Sequence, residues 1–494
     1  MNAESRSPRQ SGRRPNSARN RRKGDAPKSK SLTARELAYD AILAFEKRGV
    51  FVSRTLDRLF EQSNIPVLER RLATDLACST IRRQATLDAV LSAYCSRPLA
   101  ELDSGVHLIL RMGINQILFF DRIPSHAAVN ESVQLCRQKG KPAATSMVNG
   151  ILRSILREVE SGPPLSSLAD ADEYTIPRSS PGKESQADSI RFERAVLPHP
   201  KTNPAGYLSA AVSLPEWLVT HWLESISPDE ILSMGSWFDT PGIVGLRVNP
   251  LRSSREKVAS ALTEADIDWE HGELAEAFRL KETLAVDSVE GFGEGWFSVQ
   301  DETAMQVVDR LSPESGERIL DLCAAPGGKT MHIAERMRDK GTVVACDVVP
   351  ERLALVKQSA MRLGLKCIEA VVIGREGQKI PDGPYDAILV DVPCSNTGVL
   401  GKRPEVRWRL TPESLHELVP LQHQLLQQAT ELVRPGGRIL YSTCSIERAE
   451  NREVVDAVIS GRDEFTVEEE HLSLPGQPVD GGYRACIRRA GTPC

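Results

Sequence analysis

Asp321-Leu322-Cys323-Ala324-Ala325-Pro326-Gly327-Gly328-Lys329-Thr330 closes a short apolar run at 318–322 and leads into a stretch of helical periodicity. Small side chains and paired glycines at the end of a strand let a ligand approach the backbone closely. A helix starting near Lys329 would point its free amide groups at that ligand. Gly328-Lys329-Thr330 is also how a phosphate-binding P-loop ends, but that motif needs glycine five residues before Gly328, where Cys323 stands. The dinucleotide pattern G-x-G-x-x-G is missing too. The remaining reading is a ligand with no phosphates to cradle, S-adenosylmethionine.

Working outward, strand-like runs at 318–322, 342–347, 369–373, 386–391 and 438–443 alternate with helical stretches such as 351–363 and 421–433. That alternation predicts a parallel sheet covered on both faces. Ligands in such folds bind beyond the carboxyl ends of the strands, so strand-end residues are the first functional candidates. Asp347 ends the second strand, where a carboxylate can accept hydrogen bonds from ribose hydroxyls. The fourth strand ends in Asp391-Val392-Pro393-Cys394-Ser395 and the fifth in Ser442-Thr443-Cys444-Ser445. Two thiols and a carboxylate would then converge beside the cofactor. Cytosine carbon 5 is a poor nucleophile. A thiolate adding to carbon 6 makes the ring an enamine that can take up a methyl group. A carboxylic acid near ring nitrogen 3 would stabilise the adduct, and a base must then remove the carbon-5 proton.

The rest of the 494 residues predicts further domains. Thr33 and Glu36 have capping-box spacing, and apolar stripes at helical period recur through 31–160, which predicts an all-helical domain. Residues 161–205 are rich in Pro and Ser and read as a partly disordered linker. From 206 to 294 helical and strand-like stretches mix, as in Pro215-Glu216-Trp217-Leu218 and Gly245-Leu246-Arg247-Val248-Asn249-Pro250, which predicts a small α+β domain. The catalytic domain is then 295–494. Residues 1–30 carry ten basic residues against two acidic ones, with almost no large apolar side chains, and read as a disordered basic tail. No apolar run approaches the roughly 20 residues of a membrane span, and no secretory signal opens the chain. The expectation is a cytoplasmic, monomeric protein whose ten cysteines remain thiols. None of them forms a C-x-x-C pair, so no metal is expected.

Gln300-Asp301, 321–330, Asp347, 391–395, 441–445 and Glu450-Asn451 together resemble the RNA cytosine-5 methyltransferases. The resemblance implies a Rossmann-like methyltransferase domain binding S-adenosylmethionine through Cys323, Ala324, Ala325, Pro326, Gly327, Gly328, Lys329, Asp347, Arg352 and Asp391. It assigns the nucleophile to Cys444 and product release to Cys394. DNA cytosine methyltransferases use the Pro-Cys cysteine as nucleophile, which leaves a swapped assignment as the rival. Leu108-Ile109-Leu110-Arg111-Met112-Gly113, Val148-Asn149-Gly150-Ile151-Leu152-Arg153 and 122–131 resemble the RNA-binding NusB domain. The combination is similar to the bacterial ribosomal small-subunit methyltransferase B family (RsmB, Sun or Fmu). That likeness implies 16S ribosomal RNA as partner and its cytosine 967 as target. A transfer RNA cytosine-5 methyltransferase is the alternative. A non-catalytic antitermination-like protein is a further one, but it would not need Cys444, Asp391 and the glycine loop intact. Lys402, Arg403, Arg407 and Trp408 follow the catalytic loop and are expected to contact RNA, with Arg247 from the small domain. The acid that usually follows the third strand has no clear counterpart in Ile373-Gly374-Arg375-Glu376, and Asp480-Gly481-Gly482-Tyr483 replaces the family's usual Asp-Gly-Phe-Phe.

Overall fold

The computed structural model describes residues 32–63, 65–165, 167–178, 188–240, 242–281, 286–374, 379–476 and 478–491. The basic tail, part of the proline-rich stretch and Arg375-Glu376 lie outside the described residues.

The N-terminal region is helical: α1 (Ala34–Arg48), α2 (Val52–Glu61), α3 (Val67–Arg82), α4 (Gln84–Tyr94), α5 (Ser104–Phe119), α6 (Ser125–Gln138) and α7 (Thr145–Glu158). Thr33 caps α1 in a full capping box with Glu36, which satisfies two amides that would otherwise lack partners. Leu37, Ala38, Ala41 and Ile42 on α1 bury against Leu76 and Ala77 of α3 and Ile109 of α5.

The proline-rich segment is more ordered than its composition predicts. Strands β1 (Val159–Gly162), β2 (Thr175–Arg178) and β3 (Asp188–Phe192) form an antiparallel sheet in the order β1-β3-β2. Ile176, Ile190 and Phe192 are buried and join the helical core. Pro177 is tolerated because β2 is an edge strand, where a missing amide breaks no essential ladder bond.

Helices α8 (Pro204–Ala211), α9 (Glu216–Trp222) and α10 (Pro228–Phe238) follow. Tyr207, Leu208, Trp222 and Phe238 are buried in the same apolar cluster as the N-terminal helices, so these helices extend the helical core. The small domain proper is a four-stranded sheet of β4 (Val244–Val248), β5 (Trp269–His271), β6 (Ala277–Leu280) and β7 (Phe297–Val299), with α11 (Arg255–Glu264) packed on it. Its order is β5-β6-β4-β7. Strand β7 lies beyond the expected boundary at 294, because Phe297 is buried against Leu246 and Val248.

The C-terminal domain is built from α12 (Glu302–Leu311), β8 (Arg318–Asp321), α13 (Gly328–Arg336), β9 (Thr342–Asp347), α14 (Pro350–Leu363), β10 (Ile368–Val372), β11 (Tyr385–Asp391), α15 (Pro404–Arg407), α16 (Ser414–Glu417), α17 (Val419–Leu432), β12 (Val433–Thr443), α18 (Arg452–Ile459), β13 (Phe465–Ser473) and β14 (Gly482–Arg489). The sheet order is β10-β9-β8-β11-β12-β14-β13; the first five strands are parallel, and β14 runs antiparallel to both of its neighbours, β12 and β13. Strand order reverses between β8 and β11, which opens a crevice at their carboxyl ends. The register pairs Asp321 with Leu389 and Asp391 with Ser442, so the motif-bearing ends share one edge. Among the described residues no helix is long and apolar enough to cross a membrane.

Candidate active site

The glycine loop joins β8 to α13. Gly327 takes a left-handed backbone (φ 108°) that suits glycine. The Ala324 amide donates to the Cys346 carbonyl (2.8 Å), and the Ala325 amide to Asp347 Oδ2 (3.3 Å). Asp347 Oδ1 accepts from the Val349 amide (2.9 Å), so the carboxylate at the end of β9 is held on two sides. Arg352 from α14 lies 3.6 Å from Asp347 Oδ2 and donates to the Ala325 carbonyl. Asp321 Oδ2 accepts from Thr330 (2.6 Å), whereas its Oδ1 is buried without a partner. Burial pushes the Asp321 carboxyl up to about 7 and the Cys323 thiol well above its ordinary value. A Cβ on Gly328 would meet nothing nearer than Gln300 Nε2 at 4.0 Å. That Nε2 is also a buried atom without a partner. Open ground before Gly328, an unpaired acceptor, an unpaired donor and the carboxylate of Asp347 fit S-adenosylmethionine, which offers hydroxyl and amino donors and a carboxylate acceptor.

The two cysteines meet across the ends of β11 and β12, with Cys394 Sγ 3.2 Å from Cys444 Sγ. Cys444 also donates to Asn396 Oδ1 (3.2 Å). Lys329 from α13 donates to Asp391 Oδ2 (2.7 Å), and Ser442 donates to Oδ1 (2.7 Å), so both oxygens of Asp391 are engaged. The two thiols differ electrostatically. The hydrogen bond from Cys394, with the positive charges of Arg403 and Lys329, holds the Cys444 thiol below its ordinary value against burial and Asp391. Donating that bond, burial and the nearby Glu450 carboxylate push Cys394 well up. The pair therefore has one proton donor and one sulfur suited to carry charge.

Glu450 and Asn451, which the resemblance singles out without a role, and Gln422, which it does not, hold the two cysteine loops. Glu450 is fully buried and accepts from the Ser395 amide (2.9 Å), Ser395 Oγ (2.5 Å) and Gln422 Nε2 (3.1 Å), while Gln422 also donates to the Pro393 carbonyl. This clamps the Cys394 loop from two distant helical segments. Asn451 accepts from Thr443 Oγ1 (2.6 Å) and donates to the Ser445 carbonyl (2.9 Å), clamping the Cys444 loop. The Gly481 amide donates to the Gly398 carbonyl (2.9 Å). A Cβ at Gly398 would lie 2.5 Å from the Gly481 carbonyl oxygen, a close backbone contact beneath the cysteine loop.

The expected RNA contacts are largely corrected. Arg247 is 1% exposed; its guanidinium pairs with Glu335 (2.9 Å) and donates to Gln300 and the Gly328 carbonyl, bracing the small domain against α13. Arg407 is fully buried and donates to the carbonyls of Arg82 (2.9 Å), Ser213 (3.0 Å) and Phe238 (2.5 Å) and to Asp239 (3.1 Å). The Trp408 ring packs on the helical core, and its Nε1 donates to the Ile81 carbonyl (2.8 Å). Lys402 is half-buried between Asp301 and Asp480 (2.9 Å to the latter). These four side chains are structural because their donors are consumed at domain seams. Arg403 alone of the set is exposed, donating to Asn396 Oδ1 (2.7 Å).

Among the described residues no group of three or more His, Cys, Asp or Glu could hold a metal ion. Family models match three regions: the NusB family at 32–157, a ferredoxin-like domain of RsmF/B-like methyltransferases at 214–287, and the 16S rRNA methyltransferase RsmB/F family at 308–481. A probable ribosomal RNA small subunit methyltransferase B from Synechocystis is 32% identical over 88% of this chain and 91% of its own length. Its namesake from Bacillus subtilis is 31% identical over 90% of this chain and 91% of its own. The crystal structure of PH0851 superposes with a TM-score of 0.69 over 92% of this chain and 98% of its own, at 24% identity, and so shares the fold. With a NusB-like helical domain, a small ferredoxin-like domain and a cofactor cleft beside paired cysteines, the chain belongs to the ribosomal RNA small subunit methyltransferase B family of S-adenosylmethionine-dependent enzymes.

Proposed function

We propose that this enzyme methylates carbon 5 of one cytosine of 16S ribosomal RNA, cytosine 967 by family resemblance, through a covalent adduct with Cys444. The observation that carries the reading is the 3.2 Å approach of two thiols of opposite ionisation tendency beside the Lys329–Asp391 pair. The Cys444 thiolate adds to carbon 6, and the displaced electron pair moves onto the ring, where the Lys329 ammonium beside Asp391 can balance it. S-adenosylmethionine supplies the electrophilic methyl group that carbon 5 takes up. A base then removes the carbon-5 proton. That electron pair re-forms the C5–C6 double bond and expels the Cys444 sulfur, which the Cys394 S–H is placed to stabilise by hydrogen bonding. A stacked base would hide carbon 6, so the cytosine must be unstacked or flipped to reach this edge.

Bisulfite mapping of unmodified 16S RNA after incubation with enzyme and S-adenosylmethionine tests the proposal. One methylated cytosine, lost in Cys444→Ala, and a stable protein–RNA adduct in Cys394→Ala are expected. An adduct in Cys444→Ala would reverse the two roles. Methylation of transfer RNA alone would replace the substrate.

A further inference from the structure

We propose that Asn396 and Arg403 form a positioning pair for the Cys444 nucleophile: the amide orients the thiol and tethers the guanidinium beside it. The inference deepens the proposed role of Cys444 and rests on it. Asn396 sits two residues beyond Cys394 with a left-handed backbone (φ 63°), a conformation that asparagine tolerates better than most residues. Its side chain turns back over the loop. Nδ2 donates to the Cys394 carbonyl (2.7 Å), while Oδ1 accepts from both the Cys444 thiol (3.2 Å) and Arg403 Nη1 (2.7 Å). One oxygen shared by two hydrogen bonds keeps the guanidinium within two hydrogen-bond lengths of the sulfur. The order Cys394 S–H to Cys444 S–H to Asn396 Oδ1 also directs the Cys444 proton outward, toward the exposed Arg403 rather than into the sheet.

The groups facing Cys444 are Cys394 and Asp391 from the end of β11, Lys329 from α13, and Arg403 from the loop before α15. Lys329 is already committed to Asp391. Arg403 makes no carboxylate ion pair among the described residues; it donates to the neutral Asn396. Its charge is therefore the one at this edge not offset by a carboxylate partner when the sulfur ionises. Arg403 is also next to α15, whose Arg407 is locked into the helical domain.

The test is the pH dependence of iodoacetamide alkylation of Cys444 in the full chain, resolved by peptide mass spectrometry, for wild type, Arg403→Leu, Arg403→Lys, and Asn396→Gly alone and in the Arg403→Leu background. Glycine keeps the left-handed backbone available. Arg403→Leu should raise the alkylation midpoint by about one pH unit, and Arg403→Lys should recover part of that shift. Asn396→Gly removes both the tether, whose loss raises the midpoint, and an acceptor of the neutral thiol, whose loss lowers it, so it should move the midpoint upward more beside Arg403 than in the Arg403→Leu background. A midpoint unchanged in Arg403→Leu, with rates scaled equally at every pH, overturns the proposal. An Asn396→Gly shift that is the same with Arg403 and with Arg403→Leu overturns the tether. Because alkylation needs neither RNA nor methyl transfer, these results stand apart from the mapping experiment on cytosine.

Discussion

Replacing Arg407 by methionine should damage stability and leave RNA affinity intact. The guanidinium is fully buried, and so is most of its partner Asp239. Burial lowers the Arg407 guanidinium to about 10 and raises the Asp239 carboxyl, so each ion is tolerated because of the other. Methionine fills much of the volume but leaves the carboxylate without its hydrogen-bonded cation, with only Arg83 and Arg82 nearby, and removes the donors to three carbonyls. Removing one partner of a buried pair costs about 3–5 kcal/mol, a large part of the 5–15 kcal/mol typical of a folded protein. Adding Asp239→Asn removes the unpaired charge and should recover roughly half of the loss. Urea unfolding followed by tryptophan fluorescence reads this directly, because Trp408 donates into the seam itself and Trp237 ends in the helix before Asp239. Filter binding to 16S RNA across a salt series gives the second readout. A stability loss below about 1 kcal/mol would refute the argument. So would a salt dependence flattened by about one unit, the signature of a lost phosphate contact.

Three further outcomes are expected. Asp321 holds its proton to about pH 7 when folded but to about pH 4 when unfolded. Its contribution is therefore fully present below pH 4 and lost as pH rises through 7, so thermal unfolding at pH 5 and 8 should show Asp321→Asn gaining relative to wild type at the higher pH. Gly328→Ala should fold normally, since its Cβ meets open space, yet weaken S-adenosylmethionine binding about tenfold or more by calorimetry. Unchanged affinity would place the ligand away from the loop. Glu450→Gln should lower kcat by about tenfold to a hundredfold with cofactor affinity retained, because a buried charged clamp on the Cys394 loop is weakened. Equal turnover in single-turnover methylation would remove Glu450 from the positioning of that loop.

The sequence made the sheet and its motif-bearing edge legible because periodicity and glycine chemistry act over short distances. Runs expected to end at Asp347, Asp391 and Thr443 are strands ending at those residues, and the run expected to end at Leu322 ends one residue earlier, at Asp321. The antiparallel pair β13 and β14 was not foreseen, since Phe465–Ser473 is a largely exposed edge strand with little apolar alternation. Nor was the sheet at 159–192, where proline in an edge strand mimics a linker. The RNA contacts failed for a different reason. A basic segment after a catalytic loop looks solvated in one dimension, but Arg407 and Arg247 meet their carboxylates only after distant chain segments fold against them. Glu450 and Gln422 show the same limit, because their role depends on helices meeting around the loop.

The Arg407 seam also constrains how this enzyme can change over time. The bed of α15 is assembled from carbonyls at Arg82, Ser213 and Phe238, three points spread through the N-terminal half. A recombination event that exchanged the helical module for a foreign one would strand a charge beneath the loop that carries Arg403. The module is thus not a detachable cassette. Residues 81–83, 213, 238–239 and 400–408 must be inherited as a matched set, and an engineer grafting a new RNA-binding front onto this methyltransferase would have to carry all of them across together.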